Sequence, residues 1–353
     1  VSIVLACCML SGEGLAQRQA NIWYFGNARA GLDFNQAPPR VLADGAMVAS
    51  EGVATMADSS GRLLFYTNGE SVWNREHRVM ANGSGLDGHI SARQGVVIVP
   101  QPGSRTRYFI FTTDALENQF ARGLRYSVVD MARQAGLGEV VTKNVPLQPL
   151  AEENLTATGS CGCPNSDRYW VAADRQDRPG VLYAYRVDAA GVNPQPVETV
   201  LPGVASITYL KFSPSGDRLA FTGLTNSGAS VIGVVDFNAT VGRFSNLKLV
   251  PVDNMDYHRA VEFSGDGKLL YFTTWSKPQL TQYDLSQTAA EEMARTAVTL
   301  LQHSLYSLHS PQLASDGKIY ISAYDGKETN MAVIEHPNVR GQGSLFRRDA
   351  FTG

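Results

Sequence analysis

The sequence has few of the residues and motifs that usually build a catalytic or metal centre. Its 353 residues include six histidines and four cysteines. There is no Gly-x-Ser-x-Gly, the turn that exposes a nucleophilic serine. There is no His-Glu-x-x-His, so a zinc hydrolase has no support, and no aspartate-rich loop fits a calcium hand. We therefore expect no metal ion and no cofactor, and we expect binding rather than catalysis.

Basic runs and long helical stretches are missing as well. The net charge at pH 7 is −3, and nowhere do four basic residues follow one another. Nucleic acid and an anionic membrane surface are therefore not expected as partners, and no segment is expected to span a membrane. Only residues 286–303 have a convincing helical pattern, and we predict that they form an insertion between strands.

The sequence does contain a repeated phrase. It reads FSPSGDRLAF from Phe212, FSGDGKLLYF from Phe263 and LASDGKIYIS from Leu313. The turn glycines of the three copies are separated by 51 and 50 residues, and a period of this length is typical of a repeat architecture. Each copy places a Ser/Asp/Gly turn between two runs rich in Phe, Leu, Ile and Tyr, which is the pattern of a β-hairpin.

Weaker copies lie upstream, and most copies are followed by a second alternating apolar segment. The weaker copies begin at Met56, Val99 and Gly162, and the second segments begin at Leu124, Leu182, Ile232 and Leu280. Four short strands in each repeat of roughly 40 to 50 residues predict an all-β β-propeller. The isolated strand at Asn21–Gly26 is expected to complete a blade with C-terminal strands. We predict seven blades, with six as the alternative, in one domain over residues 17–353.

The N-terminus indicates export. Residues 3–10 (IVLACCML) are apolar, and small residues lead to a cleavage position after Ala16. This pattern predicts a signal peptide over residues 1–16 and a protein that is extracellular, at the cell surface or periplasmic. A buried first strand is the alternative. Cys7 lies in a near-lipobox and permits a lipoprotein anchor, although the leucine at its second position fits that motif poorly.

Removal of such a signal would leave two cysteines, Cys161 and Cys163. They are one residue apart and fit disulfide geometry badly. Without a nearby histidine they are too few for a structural zinc. Small residues in a hairpin turn are the simplest interpretation, and a strained local disulfide is the alternative.

Several stretches resemble one group of exported proteins. They are NIWYFGNARAGLDFN from Asn21, EGVATMADSSGRLLFYTNGESVWNREHRVMANGSGL from Glu51, GLRYSVVDMARQAGLGEVVTKN from Gly123 and YLKFSPSGDRLA from Tyr209. They are similar to the β-propeller modules of Bacteroidetes surface proteins, often described as WD-repeat-like or gliding-motility-associated. The resemblance covers residues 21–338, and its more distinctive motifs lie in the first half.

The resemblance implies a propeller and export, and it transfers no catalytic residue because that family has no established ones. In the family the propeller usually precedes PKD-type repeats and a C-terminal sorting domain for type IX secretion. This sequence contains neither, so surface attachment by that route does not carry over. It stops at Gly353, where the family pattern continues with another strand, so we expect a truncated C-terminus or a short family member.

Propeller geometry predicts where a ligand would bind. The first strand of each blade lines the central channel, so the residues before each repeat phrase converge on one mouth. These positions carry Glu51, Gln94, Glu153, Tyr209, His258, Arg259 and His309. A concave surface with converging polar groups is the usual place for a ligand. The alternative is that these groups bond neighbouring blades around water. Adjacent acidic pairs such as Glu152–Glu153 are interpreted as solvated charge.

Three further residues, Trp73, His77 and Arg93, lie on early loops and are expected to extend this face, although Trp73 would equally suit the core.

Three functions follow from these patterns. The first is a non-catalytic binding or scaffold module at the cell envelope, with an unknown protein or glycan ligand. The second is a propeller-type hydrolase, lactonase or lyase, which requires the glutamates and histidines of the mouth to lie within hydrogen-bonding reach. The third is a spacer that binds nothing.

Overall fold

β-Strands make up most of the described chain. The structure, a computed structural model, describes residues 17–26, 29–159, 167–252, 259–274, 278–302, 307–324 and 329–351. These ranges contain one six-residue α-helix and four short 3-10 helices. The proposed signal peptide, both hairpin cysteines and His258 lie outside the described residues, and only the backbone of Arg259 is described.

The first half of the chain folds into three antiparallel meanders. Meander A contains β1 (Ile22–Tyr24), β2 (Gly31–Asp33) and β3 (Arg40–Leu42). Meander B contains β4 (Ala54–Ala57), β5 (Leu63–Thr67), β6 (Ser71–Asn74) and β7 (Val79–Ser84). Meander C contains β8 (Val96–Pro100), β9 (Arg107–Thr113), β10 (Leu124–Asp130) and β11 (Glu139–Gln148). One parallel pair, Glu139 with Ala81, joins B and C into an eight-stranded sheet.

The second half repeats this pattern. Meander D contains β12 (Ala151–Ala157), β13 (Arg168–Arg175), β14 (Val181–Asp188), β15 (Gly191–Val192) and β16 (Val197–Val200). Meander E contains β17 (Val204–Phe212), β18 (Arg218–Thr225), β19 (Ser230–Asn238) and β20 (Arg243–Pro251). Meander F contains β21 (Arg259–Phe263), β22 (Leu269–Thr274), β23 (Gln279–Asp284) and β24 (Val298–Gln302). Meander G contains β25 (Ser307–Leu313), β26 (Ile319–Tyr324), β27 (Thr329–Ile334) and β28 (Phe346–Arg347).

The three strongest copies of the phrase form the hairpins that the sequence predicts. They join β17 to β18, β21 to β22 and β25 to β26. The turn residues Gly216, Gly267 and Gly317 have φ of 71°, 69° and 81°. This left-handed conformation is cheap for glycine because it has no Cβ. The all-β propeller fold is therefore confirmed.

The number of blades stays a prediction. Counted as hydrogen-bonded sheets of four or more strands, the described residues contain five, rather than the seven or six that we predicted. The count is lower because B and C share one sheet and A has three strands.

Apolar side chains fill the space between each pair of consecutive meanders. The A–B interface includes Tyr24 and Tyr66, whose rings stack with centroids 4.6 Å apart. Comparable buried clusters lie between B and C, C and D, D and E, E and F, and F and G. A seventh cluster joins G back to A, where Phe34 packs edge-on against Tyr320 at 5.4 Å. The stack of sheets thus closes on itself.

Two local predictions were wrong. The strand at Asn21–Gly26 pairs with β2 instead of with C-terminal strands, and it reaches meander G only through side chains such as Trp23, which contacts Tyr320. The helix expected over 286–303 is limited to α1 (Ala290–Arg295). The segment that follows, VTLLQ, becomes β24 because meander F needs an outer strand to pair with β23. None of the helices in the described ranges is long and apolar enough to cross a membrane.

The first strands of meanders B to G contact one another in sequence order and surround the channel. A buried ion pair links three of them. Lys211 Nζ on β17 lies 2.7 Å from Glu262 Oε2 on β21 and donates to Gln312 Oε1 on β25 at 2.9 Å. The Glu262 carboxylate also accepts from the backbone N–H of Leu313 and of Phe263. The partners of this buried carboxylate therefore come from three consecutive channel strands, β17, β21 and β25.

We predict that Glu262→Ala lowers the free energy of unfolding by about 3–5 kcal/mol, because it removes the carboxylate that pairs with the buried Lys211 ammonium. Urea unfolding measures this loss. The matched control is Lys268→Ala, which breaks the exposed Lys268–Asp266 pair and should cost less than about 1 kcal/mol. Equal effects of the two variants would contradict a structural role for the channel pair.

Candidate functional site at the channel mouth

The starting ends of β4, β8 and β12 meet at one end of the channel. Backbone hydrogen bonds join them: Gly52 N–H donates to Ala92 at 3.0 Å, and Gln94 N–H donates to the Glu153 carbonyl at 3.0 Å. A Cβ on Gly52 would lie 2.6 Å from the Ala92 oxygen, so only glycine permits this close approach. We call the surrounding polar surface the mouth; it consists of Glu51, Arg93, Gln94, Glu117, Glu152 and Glu153.

Glu153 is buried and both of its carboxylate oxygens are hydrogen-bonded. Arg93 Nε lies 2.9 Å from Oε2, and the backbone N–H of Leu116 donates to Oε1 at 3.0 Å. These bonds hold the loop after β9 and the segment before β8 against β12. The carboxylate therefore positions the loops of the mouth, and its oxygens are already used.

Gln94 reaches across meander D. Its Nε2 donates to the Leu210 carbonyl at 2.7 Å, and the Leu210 N–H donates to its Oε1 at 2.8 Å. The amide thus pairs with β17 as a strand backbone would. Because both polar atoms of the side chain are bonded, Gln94 ties the starting end of β8 to the second half of β17.

The mouth carries a net negative charge. Partial desolvation by the surrounding loops, reinforced by the nearby Glu153 carboxylate, raises the pKa of Glu51 to about 7, and the residue remains exposed at the rim. Burial also raises the pKa of Glu152. A hydrogen bond from Ser91 Oγ, 2.7 Å long, lowers the pKa of the exposed Glu117 carboxyl. Arg93 is the cation that opposes these carboxylates.

A second carboxyl lies behind the mouth. Asp174 on β13 is buried, and burial together with the Glu152 charge raises its pKa well above the ordinary value. The Asn154 amide donates to its two oxygens at 3.3 and 3.2 Å. Glu152 and Glu153 were interpreted as solvated charge, but the structure half-buries one and buries the other. Sequence spacing could not reveal this, because the loops that cover them come from meander C.

The structure brings together some of the predicted mouth residues. Glu51, Gln94 and Glu153 meet, and Arg93 joins them. Tyr209 is buried, and burial raises the pKa of its phenol, which bonds the Ser310 side chain of meander G. His309 on β25 is exposed, and its carbonyl accepts from Thr273 Oγ1 at 3.1 Å.

Other residues depart from the prediction. Trp73 and His77 do not extend the mouth, because they lie at the A–B interface, where both pack on Tyr66. Glu117 and Glu152 were missed as members of the mouth. Within the described ranges, no three His, Cys, Asp or Glu residues cluster closely enough to hold a metal ion.

Comparisons with known proteins agree with the fold. No protein-family model and no curated protein matches the sequence. Among solved structures, a candidate 6-phosphogluconolactonase from Bacteroides fragilis superposes with a TM-score of 0.56 at 12% identity, covering 93% of this chain and 92% of that one. The β-propeller domain of Swd1 from Myceliophteria thermophila gives 0.54 at 13% identity, covering 88% and 92%. Hydrazine synthase from Kuenenia stuttgartiensis gives 0.53 at 14%, covering 93% and 98%. Such identities show the fold alone: the chain is a WD40-like β-propeller.

We predict that Glu51 makes stability depend on pH. With a pKa of about 7 when folded, against 4.5 for an ordinary glutamate, the folded chain holds this proton more tightly than the unfolded chain. Stability is therefore lost as the pH rises from about 4.5 to about 7. Glu51→Gln removes this loss, so the variant gains on the wild type over that range and keeps its gain at pH 8. Unfolding measured across these pH values tests it, and parallel profiles for the two proteins would contradict it.

Proposed function

We propose that the chain is an exported, non-catalytic binding module of the cell envelope, and that its mouth recognises a partner protein through a basic segment. The observation that carries this proposal is the charge of the mouth, where four carboxyl groups face one guanidinium. Complementary charge gives an interface its specificity and speeds association.

The hydrogen bonding of the mouth supports binding over catalysis. A general acid or base needs a free proton site within reach of the substrate. The polar side-chain atoms of Glu153 and Gln94 are already hydrogen-bonded to other parts of the propeller. A surface whose inner groups are fixed in this way presents a rigid, pre-formed shape, which lowers the entropy cost of binding.

We also propose that the propeller has seven blades. Seven apolar clusters join meanders A to G in a closed circuit, and the last of them returns to the first meander. Meander A is then a three-stranded blade, and the eight-stranded sheet is two blades that touch at one residue pair. The order of strand contacts around the channel supports the same arrangement.

A hydrolase or lactonase is the second candidate, because one observation favours it. Glu51 has a pKa of about 7 at an accessible rim, which is the range in which a carboxyl can both give and take a proton. If this function holds, Glu51→Gln abolishes turnover of lactone or ester substrates. The candidate lactonase with a similar fold is too distant in sequence to add weight.

Charge removal at the mouth tests the binding proposal. We predict that the double variant Glu51→Gln, Glu117→Gln binds a short oligolysine peptide about 3- to 10-fold more weakly than the wild type, with a smaller dependence on salt, because attraction between exposed charges is modest and screened. Fluorescence anisotropy at two salt concentrations measures both quantities.

The matched control is Glu198→Gln, which removes one carboxylate from the outer strand β16, where Glu198 pairs with Arg178. It should bind the peptide as the wild type does. If the control weakens peptide binding equally, the peptide is attracted to the overall negative charge of the protein and not to the mouth. Capture of a neutral glycan that the mouth variant loses would replace the protein partner with a polysaccharide.

We propose export by the N-terminal signal, in keeping with the resemblance to exported, gliding-motility-associated propeller modules. We predict that residues 1–20, fused to an alkaline phosphatase that is active only after export, produce activity in a bacterial host. Deletion of the apolar residues 3–10 should abolish it, because that run drives insertion. Labelling with a radioactive fatty acid, lost in Cys7→Ser, would assign the lipoprotein anchor instead of free release. Activity that survives the deletion would contradict the signal.

A further inference from the structure

A polar cleft of about 300 Å³ lies between meanders A and B, apart from the mouth. One wall is the face of β1–β3, and the other is formed by the turns that join β4 to β5 and β6 to β7. The polar side chains that line this cleft include Asp33, Asn35, Arg40, Asp44, Arg75 and His77. The apolar packing between A and B continues beneath it, so the cleft has a solid floor.

A chain of polar contacts joins the two walls. Tyr66 is fully buried, and its oxygen accepts from the Ala46 N–H at 2.9 Å. Its O–H therefore donates to the ring nitrogen that lies 3.1 Å away, His77 Nδ1, since a buried donor is almost always paired. That assignment leaves the His77 proton on Nε2, 3.5 Å from Asp44 Oδ2.

Tyr24 completes this chain by donating its O–H to Asp44 Oδ1 at 2.7 Å. Asp44 thus accepts one hydrogen bond, from Tyr24, and lies beside His77 Nε2, while more than half of its own side chain is exposed. Its carboxylate is an oriented acceptor that still has room for a ligand. A donor and an acceptor, His77 and Asp44, lie side by side at the cleft.

The polar groups along β2 and β3 are equally constrained. Asn35 Nδ2 donates to Asp33 Oδ1 at 2.8 Å, and Asn21 Nδ2 donates to Asn35 Oδ1 at 3.0 Å. Arg40 lies 3.1 Å from the second oxygen of Asp33. These planar groups are fixed before any ligand arrives, which is the usual state of small-molecule sites.

Arg75 differs from its neighbours. Arg40 has the Asp33 carboxylate as a partner, and Arg62 on the same rim has Asp58. The Arg75 guanidinium donates to the Gly136 carbonyl and, among the described residues, has no carboxylate within ion-pair distance. A guanidinium that lacks an anionic partner is suited to bind a ligand carboxylate through parallel N–H donors.

We propose that this cleft binds a uronic-acid residue, with the sugar carboxylate on Arg75 and the ring hydroxyls on Asp44 and His77. A hydroxyl both donates and accepts, which matches walls that alternate carboxylates with N–H donors. The volume suits one sugar ring, since it lies at the small end of the range for ligand sites. The inference goes beyond the proposed function and uses none of the residues of the mouth.

Titration calorimetry of the full chain with galacturonate tests the proposal, with galactose, acetate and inorganic phosphate as comparison probes. Galacturonate should bind at least about tenfold more tightly than each of the three, because only it engages both Arg75 and the hydroxyl partners. Arg75→Gln should remove this preference. The matched control Arg78→Gln lies in the same turn but pairs with Glu76 outside the cleft, and it should leave binding unchanged.

Asp44→Asn provides a second readout, because it keeps the shape of the side chain while weakening the hydroxyl contacts. It should lower the affinity for galacturonate but not that for acetate, since the loss of a negative charge cannot weaken the binding of a simple anion. Trigalacturonate distinguishes a uronate within a polysaccharide from a free or terminal uronate. If the trimer binds more than about threefold tighter per chain than the monomer, the ligand is a residue within a polysaccharide. If the two bind equally, the ligand is a free or terminal uronate. Absence of binding, affinity for acetate or phosphate that equals that for galacturonate, or indifference to Arg75→Gln would each overturn the proposal.

Discussion

Face-to-face packing of the sheets is the constraint on which the rest of the molecule depends. A four-stranded sheet of this composition has two apolar faces, and neither can be left in water. Each meander therefore needs a neighbour on both sides, and a row of meanders is stable only when its ends also meet. The cluster around Leu32, Phe34 and Tyr320 supplies that last contact. Because meander A closes the row through side chains, closure needs no shared sheet.

Closure brings polar groups together in the channel, where they must find partners. Gln94 pairs with the backbone of β17, and Lys211 pairs with Glu262. Such bonds compensate the cost of removing polar groups from water. They also occupy the polar side-chain groups that would otherwise be available for catalysis. Polar groups inside the channel thus bond the meanders to one another. The groups that remain available to a ligand lie at the rim of the channel and in the cleft between meanders A and B.

The two candidate sites differ in how far the sequence predicts them. The mouth follows from repeat geometry, since the residues before each first strand must converge, and Glu51, Gln94 and Glu153 do so. Tyr209 lies closer to its copy of the repeated phrase than these residues do, and its side chain is buried in the interior. The cleft at Asp44 and His77 had no sequence signal, because its residues lie on separate strands, turns and loops with no common spacing. Trp73 and His77 stood out as polar or aromatic loop residues, but their neighbours could not be assigned.

By itself, the sequence determined the repeat, the hairpins and the all-β propeller, because a period of about 50 residues and glycine turns are local properties of the chain. Only the tertiary structure decided that VTLLQ extends a sheet instead of α1, since pairing with β23 overrides weak helical preference. It alone decided that Glu152 and Glu153 leave water, that Gln94 reaches Leu210, and that Asp44 meets His77. Burial and cross-chain contacts depend on which distant segments pack together, and no local pattern records them.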